Sequence, residues 1–478
     1  MSANPFLDAP NNKKTITLAG IYLGLISQLF VSTGVSTLLP IAAEEIGGRT
    51  LYPLASNIGG LVSIIAMPLY GYLASKNPAA KRTLVSFSLL IGTLVSFVRA
   101  IAPDMMTVVA VSVLWGLVSA GIYVLGFSMI RDMYDERKAG LFLGATGTVM
   151  SIGMLAGPAI TGLLIDLAGW RIVCHMNWVL MFVAAVLIFF GVKITKEEGA
   201  AVGRGGRKFD VAGCIILMLF MGGVVLALSF GPSSSGISAL IFGSIGNTAL
   251  LVLSAVSLAA LFFIVRKKGD GAILPSGVLK DRNTVCLALY NLFATCSTMA
   301  VMFFMPAYAR YVMQTSATQA ALTTTMIAVL GIFLSPIFGS RIAKAKSARG
   351  VVALGTIVRI GLTIALLFVL KPTTSILVVY ALILAAGLYN SQHSVTISAG
   401  PQIQIAPEIR VMGNSVVQLT QIVGGAVGMA VYTSVIGTQG VESGMGTALI
   451  IAAVTALAAL ICGLFLKPRN VERVPEQA

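Results

Sequence analysis

Long apolar runs separated by short polar or Gly/Pro clusters dominate the chain from end to end. A bilayer core about 30 Å thick needs ~20 mostly apolar residues to be crossed by a helix. Runs of that kind lie at 15–40, 53–75, 83–102, 106–130, 139–167 and 171–193, then at 211–231 and 246–265. Six more lie at 283–311, 319–339, 350–370, 374–398, 411–437 and 446–466. The breakers are clusters such as Lys76-Asn77-Pro78 and Gly231-Pro232-Ser233-Ser234-Ser235-Gly236, which interrupt a helical pattern. The pattern predicts an all-α membrane protein of fourteen spans.

An even number of spans puts both termini on one side, and the Lys and Arg residues say which. The side opposite the termini holds Arg49, Arg99, Arg171, Arg310 and Lys371, and Arg359 falls inside a span. The remaining 26 of the 32 basic residues lie on the terminus side, in groups such as Lys13-Lys14, Lys81-Arg82, Arg137-Lys138 and Arg266-Lys267-Lys268. Cytoplasmic loops of membrane proteins carry such an excess. A multi-pass protein of the plasma (inner) membrane with both termini cytoplasmic is expected.

Composition sharpens this reading. Of 478 residues, 57% are hydrophobic and 10% are charged, against about 25% charged in a typical soluble domain. That excludes soluble enzymes. The net charge of +15 records topology and contact with anionic lipid, and no nucleic-acid partner is expected. Cys174, Cys214, Cys286, Cys296 and Cys462 all fall in apolar stretches without metal or disulfide spacing. No Gly-x-x-x-x-Gly-Lys-Ser/Thr loop occurs, so no nucleotide, metal or other cofactor is expected. Residues 1–14 are polar and do not read as a secretory signal.

A short repeat links two parts of the chain. Met67-Pro68-Leu69-Tyr70-Gly71 and Ser335-Pro336-Ile337-Phe338-Gly339 carry Pro and Gly at the same offset, each just before a basic loop. Two six-helix halves in parallel orientation would produce this, and parallel repeats are a transporter architecture.

Gly144, Gly153, Gly157-Pro158 and Gly162 form a spaced set in the fifth span. Glycines so spaced let helices approach closely, and the proline removes a backbone hydrogen bond. The set resembles the antiporter motif of the major facilitator superfamily, specifically its fourteen-span drug:proton antiporter branch, with Thr161 replacing the penultimate glycine. Gly169-Trp170-Arg171 with Asn177, Phe209-Asp210 with Gly213, and the run Pro275 to Arg282 resemble further stretches of that branch. The resemblance implies two six-helix bundles plus two extra helices. The resulting divisions are a tail at 1–14, bundles at 15–195 and 283–466, a two-helix linker at 196–282 and a tail at 467–478.

The departures matter equally. The loop Gly71 to Lys76 resembles the superfamily's gating loop, with Ser75 at its acidic position. Asp132 remains as a partner for Lys76 or Arg82. Val31 stands at the usual aspartate of the first span, and Leu117 stands about where the family often has an arginine. The resemblance makes Gly71, Lys76, Arg82, Asp132, Gly153, Gly157, Pro158 and Gly162 the gating candidates.

All 17 acidic residues fall in loops, tails or span ends. A cation:proton antiporter normally needs a carboxylate within the membrane. What the spans hold is basic or neutral. Arg359 lies roughly 15 Å along its helix from Arg349 at 1.5 Å per residue. It reads either as a bidentate holder of an anionic group or as an arginine bonded to neighbouring helices. His393 sits in the cluster Tyr389-Asn390-Ser391-Gln392-His393, as a proton carrier or as a neutral hydrogen-bonding residue. Polar stripes run through Gln28, Ser32 and Ser36, through Tyr290, Asn291, Thr295 and Thr298, and through Gln418 and Gln421. Trp115 and Tyr123 lie on the fourth span. Together they suit a cavity for an amphipathic molecule.

The expected protein is a monomeric secondary transporter, not an enzyme. It moves a small-molecule substrate, an amphipathic organic anion of carboxylate or steroid-acid type, in a proton-linked cycle. Multidrug efflux by proton antiport and a non-transporting sensor are the alternatives.

Overall fold

The computed structural model describes residues 7–48, 52–193, 210–229, 244–269, 272, 276–315, 317–345 and 347–468. All regular structure among the described residues is helical. The first six long helices are α1 (Asn11–Glu45), α2 (Tyr52–Lys76), α3 (Lys81–Ala100), α4 (Met105–Met133), α5 (Glu136–Ala168) and α6 (Trp170–Phe190). Two more follow, α7 (Val211–Ser229) and α8 (Ser244–Lys268). The second half is α9 (Arg282–Tyr311), α10 (Ala317–Lys344), α11 (Arg349–Val369), α12 (Ile376–Gln404) and α13 (Arg410–Leu464). Twelve segments among the described residues are long and apolar enough to cross a membrane.

That is a coarser result than the fourteen separate spans expected. The runs at 411–437 and 446–466 belong to one helical element, α13, which breaks only at Gly440 (φ 80°, ψ 168°). The break has a counterpart. Gly169, between α5 and α6, has φ 79° and ψ 170°. Only glycine occupies this backbone region readily. The same turn thus separates the fifth and sixth helices of the first half and the two arms of α13 in the second. This extends the repeat seen at Pro68 and Pro336, each inside its helix.

Acids at helix ends serve the helices. Asp104, Asp135 and Asp281 accept from the backbone N–H of Thr107, Lys138 and Thr284 at 2.8, 2.9 and 2.8 Å, capping α4, α5 and α9. The outer faces expose Phe87, Leu94, Phe182, Phe190, Phe263, Phe333, Phe368 and Val454. Apolar exposure on this scale suits hydrocarbon rather than water.

The halves meet on the side where α1 and α5 begin. Gly144 of α5 lies so close to Gly339 and Ser335 of α10 that a Cβ would sit 2.8 Å from backbone atoms of both. Thr148 donates to the Ile332 carbonyl at 2.8 Å, and Ser398 of α12 donates to the Leu143 carbonyl at 3.1 Å. Gly71 of α2 faces Met412 and Ser415 at the start of α13. Asn414 donates to the Val124 carbonyl of α4 at 3.3 Å. The pairs α2–α13 and α5–α10 exchange roles between the halves, as a two-fold repeat requires.

Candidate functional site

The structure gathers the polar candidates into separate clusters, one within each half. In the second half, α12 presents Tyr389, Asn390, Ser391, Gln392 and His393 as buried residues. Tyr290 of α9 donates to Gln392 Oε1 at 3.1 Å, and Gln392 Nε2 donates to Thr396 at 2.6 Å. His393 Nε2 lies 3.2 Å from Thr295 Oγ1, and its ring meets the Tyr290 ring edge-on at 5.8 Å. Thr295 in turn donates to Asn291 Oδ1 at 3.2 Å, and Asn291 Nδ2 donates to the Val417 carbonyl at 2.6 Å.

Arg359 is 1% exposed. Its Nη1 donates to the Ala294 carbonyl and, at 3.1 Å, to Thr298 Oγ1. The guanidinium carbon stands 4.7 Å over the Tyr389 ring, a favourable cation–π position. Two polar atoms of this cluster, Arg359 Nη2 and His393 Nδ1, are buried without a hydrogen-bond partner. Such atoms in a folded protein call for an explanation, among them a ligand or water.

In the first half, Gln28 of α1 donates to Ser119 at 3.0 Å and accepts from the Tyr123 hydroxyl at 2.9 Å. Tyr123 stands in a single π-helical stretch, Gly121–Gly126, within α4. Such stretches recur at functional sites, and nothing in the residue pattern announces this one. Ser32 is exposed, while the side chain of Ser36 lies outside those described. Gln418 of α13 bonds within the second half, donating to the Ile397 carbonyl at 3.3 Å and to Asn414 Oδ1 at 3.5 Å, and Asn414 in turn reaches α4 of the first half.

Trp115 serves a residue whose burial the sequence did not announce. Arg99, expected at the end of its span opposite the termini, is buried in the last turn of α3. Its Nη2 donates to Ser112 at 2.7 Å and its guanidinium carbon lies 5.3 Å from the Trp115 ring centre.

The gating candidates divide likewise. Asp132 pairs with neither Lys76 nor Arg82. Its partner is Lys81, 2.5 Å away, which also donates to Ser128 at 2.8 Å. Lys76 is exposed, and Arg82 donates to the Phe189 carbonyl at 2.6 Å while covering the Phe189 ring. Lys81 wins because it begins α3 with its side chain buried toward α4, whereas its neighbours point outward. Gly153 and Gly157 pack α5 against Leu29, Phe30 and Thr33 of α1, and Gly162 has open space beside it. The side chain of Pro158 lies outside those described.

Two helical bundles related by a repeat, closed on one side and each holding a buried polar cluster, have the architecture of a membrane transporter. The model of the Major Facilitator Superfamily matches residues 21–429, and the chain belongs to that family. It is 26% identical over 320 residues to the MFS-type transporter gkaD of Penicillium citrinum, covering 65% of this chain and 53% of that protein. It is 23% identical over 337 residues to the multidrug transporter protein MdtP of Bacillus subtilis (strain 168), covering 70% and 60%. The chain thus spans little more than half the length of these relatives. Among solved structures, the human organic anion transporter MFSD10 (TETRAN) superposes with a TM-score of 0.62 at 14% identity, over 94% of this chain and 100% of that one. A bacterial homologue of the iron transporter ferroportin gives 0.58 at 13% identity, over 94% and 98%. At these identities the likeness is one of fold.

Proposed function

We propose that the chain is a secondary transporter of fourteen spans that moves an amphipathic organic anion by alternating access, linked to protons. The fourteen are the twelve candidate segments, α7 and the arm of α13 before Gly440. The observation that carries the substrate class is a charge imbalance inside the helices. Arg99 and Arg359 are buried, on the third helix of each half, with no carboxylate within ion-pair reach among the described residues. Every described carboxylate lies in a loop or near a helix end, save Glu442, which is exposed two residues past the break of α13 at Gly440. A site with arginine and hydroxyl donors and no acid favours a ligand that brings its own negative charge. Such a ligand also brings its own exchangeable proton, so the chain needs no membrane carboxylate. His393 is the residue of this cluster suited to proton exchange. Gln28, Tyr123, Asn390 and Asn291 supply neutral contacts in this reading, and Arg359 Nη2 is the donor offered to the anion.

Proteoliposomes under an imposed pH gradient test this. Accumulation of a steroid carboxylate that Arg359→Gln abolishes, with the variant still monodisperse in detergent, is the expected result. Extrusion of a cationic dye instead would establish the second reading, multidrug efflux by proton antiport; the multidrug part of it is favoured by the names of two relatives. No gradient-driven flux of either would favour a sensor. The plasma membrane location and cytoplasmic termini are part of the proposal and rest on the distribution of Lys and Arg.

A further inference from the structure

The repeat gives the closed side two equivalent seams, α2 against α13 and α5 against α10, and only one of them is covered. α7 packs against both α2 and α13. Leu217 of α7 and Leu261 of α8 share one buried cluster with Leu419 of α13, bordered by Ile65 of α2 and Ile422 of α13. Among the described residues of α2 and of α13 before Gly440, no large apolar side chain is exposed. The other seam has no such cover among the described residues. Ile160 and Leu163 of α5 and Phe333 and Ile337 of α10 all stand exposed.

α7 and α8 form one unit. Gly223 of α7 lies so close to Ser254 of α8 that no Cβ would fit between them, the kind of approach by which helices associate in lipid. On the terminus side, Lys268 donates to Asp210 Oδ1 at 2.6 Å. Asp210, whose side chain is 1% exposed, also accepts from the Gly213 N–H at 2.9 Å. These bonds tie the start of α7 to the end of α8. The outer face of α8 exposes Leu251, Val256 and Phe263, so α8 separates α7 from lipid.

Lipid gives an apolar helix no hydrophobic reason to leave it, so packing is what seats α7 in its groove. A buried leucine makes about 40–60 atomic contacts. Parting α2 from α13 forfeits those that α7 makes with one helix or the other. Parting α5 from α10 forfeits only what those two helices make between themselves. A unit seated on both halves therefore resists opening at its own seam and leaves the opposite seam free.

We propose that α7 and α8 are a brace that makes the α2–α13 seam the hinge of the closed side, so that this side opens by parting α5 from α10. The brace rests on the alternating access proposed above and is independent of the substrate class.

Two buried serines report on the two seams. Ser335 of α10 faces Gly144 and Gly147 of α5, and Ser415 of α13 faces Gly71 of α2. Each is changed to cysteine in turn, in a background without the five native cysteines, and the purified protein in detergent is treated with a bulky, charged maleimide. Ser335→Cys should react at least tenfold faster than Ser415→Cys. It should do so although Ser335 lies roughly 14 Å from its helix end on the terminus side and Ser415 roughly 8 Å, at 1.5 Å per residue. Leu217→Ala should speed Ser415→Cys at least fivefold and change Ser335→Cys less than twofold. Leu261→Ala loosens the same cluster from α8 and decides the matter if Leu217→Ala fails to fold. Equal reaction of the two thiols, or a Ser415→Cys rate indifferent to both leucine changes, overturns the brace and leaves alternating access standing. Reaction of neither thiol denies the opening itself, and the brace with it.

Discussion

Lys81 and Asp132 show what a charge pair does at the mouth of this fold. Their side chains are only 6% and 17% exposed, so removing one takes a close counter-charge from the other in a poorly solvated place. Breaking a buried pair by removing one partner costs about 3–5 kcal/mol, whereas replacing both by apolar groups is often neutral. Lys81→Met should therefore cost about 3 kcal/mol, at the low end because Asp132 keeps some solvent. Lys81→Met with Asp132→Leu should recover most of that loss. Denaturation in mixed micelles checks both, and a double variant as unstable as the single one would deny the pairing its role. A second pair behaves differently because it is open to water. Glu45, at the end of α1, accepts from Arg171 and from Trp170 Nε1, and the Arg171 hydrogen bond holds its carboxyl below the ordinary value of 4.5. A lowered folded value means the stabilisation is complete above 4.5 and fades as pH falls through the lowered value. The difference in melting temperature between the native protein and Glu45→Gln should be constant from about pH 7 to 5 and close below about pH 4.5. A difference that grows on acidification would contradict the assignment.

Helices are where the sequence was most legible, and the turns between them where it was least. The apolar runs anticipated α1 to α12 within a few residues, because burial of hydrocarbon length needs no partner to be read. Pro68-x-x-Gly71 and Pro336-x-x-Gly339 signalled the repeat, because proline marks a position by itself. Gly440 carried no such mark. It stands among Gly437, Gly444 and Gly446, and only its backbone angles separate it from them. Those angles make a prediction. Gly169→Ala and Gly440→Ala place a Cβ where the backbone is accessible essentially to glycine alone, and each should cost about 1–3 kcal/mol. Gly162→Ala, helical and with nothing beside it, should leave stability unchanged or slightly raised. Equal melting temperatures for all three would show that the turns relax freely. The polar clusters were legible only as a list. The stripes holding Tyr290, Gln28 and Tyr123 suit one cavity by sequence, whereas hydrogen bonds and ring contact group Tyr290 with Gln392 and His393, and Gln28 with Tyr123. Helical rotation depends on packing between helices far apart in sequence, as between Ser398 and Leu143, and no local pattern encodes it. The burial of Arg99 was hidden for a related reason: near a span end, an arginine that snorkels outward and one that turns inward look alike in sequence.

At the scale of the molecule, the closed side is held by backbone proximity more than by charge. Gly144, Gly339 and Ser335 bring α5 and α10 within van der Waals contact, and Gly71 does the same for α2 against α13. Alternating access requires these contacts to separate in part of the cycle. The two arrangements then differ by a modest free energy, and about 1.4 kcal/mol changes their ratio tenfold. A side chain at position 144 cannot be accommodated by rotamer changes, because it meets backbone rather than flexible side chains. Gly144→Leu should therefore destabilise the closed arrangement while leaving each half intact. The reporter is a thiol introduced by Ser398→Cys in a background without the five native cysteines. Ser398 is fully buried and bonded to the Leu143 carbonyl across the closure. In the closed protein its reaction with a bulky, charged maleimide should be slow, and Gly144→Leu should speed it at least tenfold from the side where α1 begins. Substrate that favours the closed arrangement should slow it again, since a ligand shifts populations only by its differential affinity. Unchanged reactivity in a folded Gly144→Leu protein would mean that the α5–α10 approach does not govern closure, leaving α2 against α13 to hold the halves together.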